Sequence, residues 1–439
     1  MMRITVLTVG SRGDVQPYIA LSGGLQAAGY EVRLATHAPF RETIESRGLE
    51  FGSIAMDPRE VMRGREGREW MESGENPVHF VRRLVHFIRP HLRRHLGEVQ
   101  AACAGADGVV FSPLAFAGWH VAESLGVPSL QAALQPATPT RAFPTLPLAG
   151  RWDFGGTGNQ LTHVLSQQFV WQALRSTLDP WRRESLAIPA LGLRGPFRAT
   201  WERRTPVLHG ISPLVLPRPR DWPEWVHLTG YWFLDRPTDW QPAARVVEFL
   251  AAGPPPVYVG FGSMIPRDPA GTIDAVLGAL RQARVRGILA TGWMGATAHD
   301  LPDDVLALDE IPHDWLFPRV AAVVHHGGAG TTAAAMRAGR PAVVVPFFAD
   351  QPFWAQRVEQ LGVGPEPVPL KQLTADRLAE AIRAAVTDDG IARRAAELGE
   401  QLRAEDGVGN AVGIVDRVLR GGNMPAPDRA RAEAGQSSP

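Results

Sequence analysis

The sequence predicts an α/β protein with two doubly wound, Rossmann-like domains that face each other across a cleft. Three observations lead to this prediction. Short apolar runs alternate with helical patterns in both halves of the chain, and strands separated by helices form parallel sheets. The 439 residues exceed the size of one ordinary hydrophobic core. Prolines are dense between residues 213 and 242, as is typical of a linker between domains.

In the first half of the chain, short apolar runs predict strands and the patterns between them predict helices. A helix over residues 17–28 would have proline at its first position and Gly29 just after its end, where glycine favours a left-handed cap. Residues 57–77 and 134–160 predict long loops, which are usually functional in compact domains. The predicted strands are 3–9, 31–36, 49–54, 108–111 and 128–132, and the other predicted helices are 40–47, 78–104 and 114–125.

The second half repeats this alternation. Its predicted strands are 257–260, 287–290, 305–308, 321–325 and 342–346, and its last predicted helices are 374–386, 391–404 and 410–419. We therefore expect an N-terminal domain (1–216), a linker (217–242), a C-terminal domain (243–405) and a helix within 406–420 that can return to the N-terminal domain. The polar tail 421–439 lacks aromatic residues and is predicted to be disordered.

The composition excludes several classes of protein. Basic and acidic residues number 45 each, so the chain lacks the net basic charge of a general nucleic-acid binder. Cys103 is the single cysteine of the sequence, which excludes a disulfide framework and favours a reducing compartment. No apolar stretch reaches the roughly 18 residues of a membrane span, and the first strand leaves no room for a signal peptide. We expect a cytoplasmic protein.

A glycine-rich turn at residues 325–332, His-His-Gly-Gly-Ala-Gly-Thr-Thr, gives the strongest indication of function. It follows the apolar run 321–324 and precedes a run that is compatible with a helix. Such a turn directs unpaired backbone amides and the positive end of a helix dipole toward one place, which suits a phosphate. The sequence therefore predicts a binding site for a nucleotide diphosphate.

Five motifs occur in an order that resembles one enzyme family. They are GSRGDVQP at 10–17, FGS at 261–263, IPHDWL at 311–316, the glycine-rich turn, and PFFADQ at 346–351. Together they resemble the inverting, nucleotide-sugar-dependent glycosyltransferases of the GT-B fold, in the branch of sterol glucosyltransferases and enzymes that glycosylate bacterial natural products. The resemblance extends from about residue 3 to residue 419. It implies an acceptor-binding N-terminal domain and a C-terminal domain that binds the nucleotide sugar.

The resemblance implies roles for the residues of the donor site. It assigns binding of the donor diphosphate to Ser263, His326, Gly328, Thr331 and Thr332. The alternative is a tight structural turn with a core histidine. A buried structural role is expected for His325, which ends the predicted strand.

The resemblance also places the transferred hexose at Asp350 and Gln351. A carboxylate accepts hydrogen bonds from two neighbouring hydroxyls, and an amide both donates and accepts. A helix N-cap is the alternative role for Asp350. For the nucleobase we expect stacking on Trp293 and a backbone contact at Ile311, and packing at a strand end is the alternative for Trp293.

Asp14 is the candidate catalytic base. Related plant enzymes have a histidine in the turn after the first strand, oriented by an aspartate, whereas this chain has Asp14 there and Ser112 at the second position. The loss of the orienting aspartate is consistent with Asp14 as the base, because a carboxylate, unlike a histidine, has no tautomer that a partner must fix. An ordinary aspartate pKa of about 3.9 makes a weak base toward an alcohol, so we expect a late proton transfer or a dry cleft that raises the pKa. A helix cap is the alternative role.

No metal site is predicted. The adjacent His325 and His326 lack the spacing of three or four residues that a helical metal pair requires. We expect no metal and no cofactor other than the nucleotide-sugar co-substrate. The arginines of the predicted helix 78–104 would suit anionic lipid, but packing of its apolar stripe on the sheet is the favoured interpretation.

These indications predict an inverting transfer of a hexose, either glucose or a deoxysugar, from a UDP- or dTDP-sugar to a hydroxyl of an apolar acceptor. Polyketides, macrolides and sterols are all apolar molecules with a hydroxyl group, and the composition of the loops does not distinguish among them. The sequence also does not define the oligomeric state. The acceptor oxygen would attack the anomeric carbon opposite the diphosphate while Asp14 takes its proton. A sugar-nucleotide epimerase of the same fold and a non-catalytic auxiliary protein are the alternatives.

Overall fold

The computed structural model describes residues 1–55, 91–262, 264, 266, 268–290 and 301–421. The predicted loop 57–77, the first part of the predicted helix 78–104 and the tail after Gly421 lie outside these residues. Residues 91–102 of that predicted helix are helical. Every strand pairing in the described part of the chain is parallel.

The N-terminal sheet has seven strands. They are β1 (Arg3–Leu7), β2 (Glu31–Thr36), β3 (Glu50–Ser53), β4 (Gly108–Phe111), β5 (Ser129–Ala133), β6 (Val207–His209) and β7 (Val226–Leu228). Their order in the sheet is β3-β2-β1-β4-β5-β6-β7. The connecting helices are α1 (Arg12–Ala27), α2 (Arg41–Glu45), α3 (Ala117–Leu125), α4 (Gly155–Glu184) and α5 (Gly195–Glu202).

The C-terminal sheet has five strands. They are β8 (Val257–Gly260), β9 (Gly287–Ala290), β10 (Val305–Leu308), β11 (Ala322–His325) and β12 (Ala342–Val344), in the order β10-β9-β8-β11-β12. The helices are α6 (Ala244–Ala251), α7 (Pro269–Ala283), α8 (His313–Leu316), α9 (Ala329–Arg337), α10 (Gln351–Gln360), α11 (Ala375–Thr387), α12 (Asp389–Ala404) and α13 (Gly407–Arg420). Strands β4, β8 and β11 are buried at every residue, as is typical of parallel strands covered on both faces. Two doubly wound parallel sheets confirm the predicted fold class.

Helix α1 begins five residues earlier than predicted, at Arg12 instead of Pro17. Ser11 is its N-cap residue, and the Asp14 carboxylate accepts a hydrogen bond of 2.8 Å from the Ser11 backbone N–H. This hydrogen bond satisfies a backbone N–H group that would otherwise be unpaired at the start of the helix. Pro17 therefore lies inside the helix, and the predicted start was wrong because the capping pattern at Ser11 outweighs the proline.

Helices α4, α5 and α6 and strands β6 and β7 lie in ranges for which no secondary structure was predicted. The predicted loop 134–160 ends at Phe154, because helix α4 begins at Gly155. The proline-rich range 217–242 contains β7, which pairs with β6 as the edge strand of the N-terminal sheet. The connection between the two sheets therefore begins only after Leu228.

The last helix, α13, packs against α1 of the N-terminal domain. Gly24 on α1 lies so close that a Cβ there would be 2.4 Å from a methyl group of Val408. The Tyr30 hydroxyl donates a hydrogen bond of 2.6 Å to Asp416, and Ile414 is buried in the N-terminal core. The chain thus crosses between the two domains twice.

Candidate active site

A single cavity of about 2210 Å³ lies between the two domains, where the carboxyl ends of the strands in both sheets meet. This is the position at which ligands bind in doubly wound folds. The predicted site residues that line it are Asp14, Ile311, His326, Gly328, Thr331, Asp350 and Gln351. Ser263 and Trp293 lie outside the described residues.

The glycine-rich turn joins β11 to α9. Gly327 has a φ of +87°, and a Cβ there would lie 2.8 Å from Val344. Its N–H donates to Nδ1 of the buried His325 at 3.0 Å, so His325 holds the turn and stays out of the cavity. Gly328 is the N-cap of α9, which places the helix N-terminus at the cavity wall. The amides of this N-terminus form an anion site of the expected kind.

The His326 imidazole lies between Gly262 and Gly328. A Cβ at these glycines would lie 2.9 Å and 2.4 Å from the ring, so both positions exclude larger residues. Burial lowers the pKa of His326 to about 4, and a hydrogen bond with the Gly260 backbone opposes this shift. Its Nδ1 is buried without a partner among the described residues. The His326 imidazole is therefore neutral and lies at the cavity wall beside the start of α9.

Thr331 and Thr332 differ in where they point. Thr331 is half-buried and lines the cavity. Thr332 is fully buried, and its hydroxyl donates to the Gly328 carbonyl oxygen at 2.9 Å. The predicted contact of Thr332 with the diphosphate is therefore corrected to a supporting role, because successive helical residues point about 100° apart.

Asp350 and Gln351 lie at the start of α10. Asp350 occupies the N-cap position but makes no capping hydrogen bond with its side chain. Its carboxylate instead accepts from the Trp354 indole N–H at 2.9 Å. The Gln351 amide oxygen accepts from the backbone N–H groups of Phe347 at 2.7 Å and Phe348 at 3.2 Å. Its amide N–H donates to the Met264 Sδ at 3.4 Å. Gln351 thus holds the turn before α10.

Asp14 has both of the alternative features that the sequence predicted. Its carboxylate accepts 2.8 Å hydrogen bonds from the Ser11 backbone and hydroxyl, as a helix cap does. It also lines the cavity, and burial raises its pKa while hydrogen bonds from Ser11 and Gln135 oppose the shift. Gly10 has a φ of +138°, and a Cβ there would lie 2.5 Å from the carboxylate.

The two halves of the site approach each other closely. A Cβ on Gly330, at the start of α9, would lie 4.0 Å from the Cα of Gly13 on α1. Burial raises the pKa of Asp350 to about 6, and the negative charge of Asp14 contributes to this rise. Asp14 and Asp350 therefore lie within electrostatic reach across the cleft. A sugar held at Asp350 would face Asp14.

Two supporting residues were not identified from the sequence. His37 is buried, and its Nε2 accepts a 3.0 Å hydrogen bond from the Gly10 N–H, which fixes the turn before Asp14. Arg12 forms a 2.9 Å ion pair with Glu310 across the cleft. Although Gly10 and Arg12 lie in the motif at 10–17, their partners are far away in the sequence, so the sequence does not reveal either contact.

Among the residues that the structure describes, no three His, Cys, Asp or Glu side chains are grouped as metal ligands would be. None of the helices that the structure describes has the length and apolar character to cross a membrane.

Two family models match the chain. Residues 4–144 match the N-terminal domain of glycosyltransferase family 28. Residues 288–412 match the C-terminal domain of the erythromycin biosynthesis protein CIII-like family. The first range contains Asp14, and the second contains His326 and Asp350. The two matches thus cover both walls of the cavity.

The chain is also similar to fungal sterol 3-beta-glucosyltransferases. It is 39% identical over 445 residues to the one from Cryptococcus neoformans var. neoformans serotype D and 40% identical over 422 residues to the one from Candida albicans. These matches cover 95% and 93% of this chain, but 27% of each relative. The chain therefore spans about a quarter of the length of these relatives.

Solved structures share the whole architecture. The glycotransferase of kitacinnamycin has a TM-score of 0.71 at 19% identity, with 95% of this chain and 99% of that chain covered. The calicheamicin glycosyltransferase has a TM-score of 0.69 at 19% identity, and the match covers 97% of this chain and 100% of that chain. The glycosyltransferase VinC, in complex with dTDP, has a TM-score of 0.65 at 20% identity, with 96% and 100% covered. These likenesses show a common fold.

Proposed function

Because the chain belongs to the nucleotide-sugar-dependent glycosyltransferases of the GT-B fold, we propose that it transfers a hexose from a UDP- or dTDP-sugar to a hydroxyl of an apolar acceptor, with inversion at the anomeric carbon. The favoured transfer is that of glucose to a sterol-like acceptor, since sterol 3-beta-glucosyltransferases are 39–40% identical to this chain. Polyketide and macrolide acceptors are the second candidates. A cytoplasmic location stays a prediction from the sequence.

One observation carries this proposal: a single cavity has a diphosphate-type turn on one wall and a partly buried carboxylate on the other. The wall formed by β11 and α9 would hold the donor through His326, Thr331 and the backbone at Gly328. Asp14 lies on the opposite wall, within electrostatic reach of Asp350. An enzyme that joins a charged donor to a neutral acceptor needs this separation of the two sites.

The proposed reaction is a single displacement. The acceptor hydroxyl oxygen forms a bond to the anomeric carbon as its proton passes to the Asp14 carboxylate. The bond between that carbon and the diphosphate oxygen breaks on the opposite face, and the nucleoside diphosphate leaves with the bonding electrons. Amides at the start of α9 and the His326 imidazole stabilise the charge that develops on the leaving group. Burial makes Asp14 a stronger base by raising its pKa.

The test uses the full chain with UDP-glucose or dTDP-glucose and a panel of sterol, macrolide and aromatic polyketide alcohols. Mass spectrometry should show the added hexose, and the anomeric proton coupling in the product should show inversion. The rate should be the same with a chelator present. Consumption of donor without an acceptor would favour the epimerase. No heat of binding on titration with UDP or dTDP would favour the auxiliary protein.

The adjacent threonines provide a matched pair of variants. Thr331→Val should weaken UDP or dTDP binding several-fold, because it removes a cavity hydroxyl from the diphosphate. Thr332→Val should change the nucleotide affinity less, because its hydroxyl is bonded to Gly328 inside the helix. Isothermal titration of both variants measures the difference. Equal losses of affinity would contradict the separate roles of the two residues.

The activity should fall on the acid side of about pH 6. Asp350 has a pKa of about 6, so it is ionised above that pH and accepts hydrogen bonds from two sugar hydroxyls. Below it the carboxyl is protonated and kcat/KM for the donor sugar should decrease. The profile should be measured between pH 5 and pH 8 for the wild type and for Asp350→Asn. The variant should have a lower plateau and lack the decrease centred near pH 6. If the pH profile of Asp350→Asn matched that of the wild type, the loss of activity below pH 6 would come from another group.

A further inference from the structure

Part of the cavity has apolar walls and lies within the N-terminal domain. It is lined by Leu92, Leu96, Phe116, Trp171, Leu174 and Phe197, which belong to one hydrophobic cluster. We call this part the apolar branch. It matches an apolar acceptor in character, but it also contains a buried polar side chain that the proposed reaction does not use.

That side chain is His120 of α3, which is fully buried and lines the cavity. Its Nδ1 lies 2.6 Å from a guanidinium nitrogen of Arg182. Because arginine can only donate, Nδ1 is the acceptor of this hydrogen bond. Burial, together with the positive charges of Arg182 and Arg203, holds the pKa of His120 well below its ordinary value. The imidazole is therefore neutral and carries its proton on Nε2.

The orientation of His120 is fixed by a buried charge network. Arg182 is buried and forms a 2.8 Å ion pair with Glu123, and its Nε donates to the Pro189 carbonyl oxygen at 2.8 Å. Arg203 forms a second ion pair with Glu123 at 2.5 Å. This network ties α3 to α4 and explains why Nδ1 is bonded. The network does not supply a hydrogen-bond partner for the Nε2–H group of His120.

The Nε2–H group of His120 is buried without a hydrogen-bond partner among the described residues. An unpaired buried donor is unfavourable and is uncommon in native structures. Ring contacts surround the imidazole on its other sides, with Phe116 at 5.4 Å and Trp119 at 5.0 Å between ring centroids. A ligand in the apolar branch can supply the missing acceptor atom.

We propose that His120 determines acceptor specificity by donating a hydrogen bond from Nε2 to an oxygen atom on the acceptor other than the hydroxyl that is glycosylated. His120 and Asp14 lie beyond the ends of the neighbouring strands β4 and β1 and line one cavity. The acceptor class is therefore an apolar ring system that carries a carbonyl, ether or hydroxyl oxygen in addition to the reacting hydroxyl. This inference rests on the proposed function.

The test compares two steroids that differ in one oxygen atom: dehydroepiandrosterone, with a ketone at the end opposite its hydroxyl, and its analogue without the ketone. Wild-type protein should bind the ketone about tenfold more tightly, as measured by tryptophan fluorescence or titration calorimetry. His120→Leu should bring the ratio close to one. His120→Gln should keep part of the preference, because its amide can accept from Arg182 and donate toward the ligand. His91→Leu, at an exposed histidine of the same cavity, should keep the full ratio.

Equal affinity of the two steroids for the wild type, or no binding of either, would overturn the role of His120. A preference that persists in His120→Leu would do the same. If His120→Leu does not fold, the wild-type ratio and the His120→Gln variant decide the question. Glucose transfer is scored separately: a ketone preference in binding without transfer to any acceptor would support the His120 contact and reject the proposed reaction.

Discussion

Replacement of Asp14 by asparagine is expected to lower the rate of sugar transfer by about 10²–10⁴-fold, the usual contribution of a general base. Affinity for UDP or dTDP should stay within about twofold of the wild type, because Asp14 lies on the wall opposite the diphosphate turn. The asparagine oxygen can still accept from Ser11, so the start of α1 should be preserved. Single-turnover rates and nucleotide titrations on the same preparation measure both quantities.

Asp14→Asn separates the two roles that the geometry allows for this carboxylate. If Asp14 served only as a helix cap, the Asp14→Asn protein would be less stable but would retain the turnover of the wild type. Ser11→Ala is the matched control, because it removes a hydroxyl that donates to Asp14 and leaves the carboxylate in place. It should lower the melting temperature slightly and retain transfer. Normal turnover in Asp14→Asn would remove Asp14 from the mechanism.

The regular part of the fold could be predicted because parallel strands are buried on both faces and leave continuous apolar runs. The predicted bounds of β4, β8 and β9 agree with the structure for this reason, and those of β2 and β10 agree as well. The edge strand β7 was missed because its three residues, Val-His-Leu, lie among prolines and have no apolar run. Its pairing with β6 depends on contacts that only the folded sheet supplies.

The sequence predicted which residues form the site, but not how their side chains are oriented in it. Strand ends and glycine-rich turns place Asp14, His326 and Asp350 at one edge of each sheet. The sequence cannot tell which of two adjacent threonines faces the cleft, because that depends on the rotation of α9. Nor can it show that the pKa of Asp350 rises to about 6, since this needs both burial and the approach of Asp14 from the other domain. The unpaired Nε2 of His120 is likewise a property of the packed core.

Burial also sets the charge of His326, the residue that we propose binds the donor diphosphate. An exposed histidine has a pKa near 6.5, whereas burial lowers that of His326 to about 4, so the ring is neutral at pH 7. The approach of a negatively charged diphosphate opposes this shift and strengthens any hydrogen bond from the imidazole. The low polarity of the site also makes this interaction stronger than the same contact in water.

The change His326→Ala should therefore weaken UDP or dTDP binding by about 10- to 150-fold, which corresponds to roughly 1.5–3 kcal/mol for a hydrogen bond to a charged group. The transfer rate at saturating donor should fall further, because the leaving diphosphate gains charge in the transition state. His326→Gln retains an amide donor and should recover part of both losses. Calorimetric titration and single-turnover kinetics measure the two effects. A lower melting temperature with unchanged nucleotide affinity would show instead that His326 only packs the turn between Gly262 and Gly328.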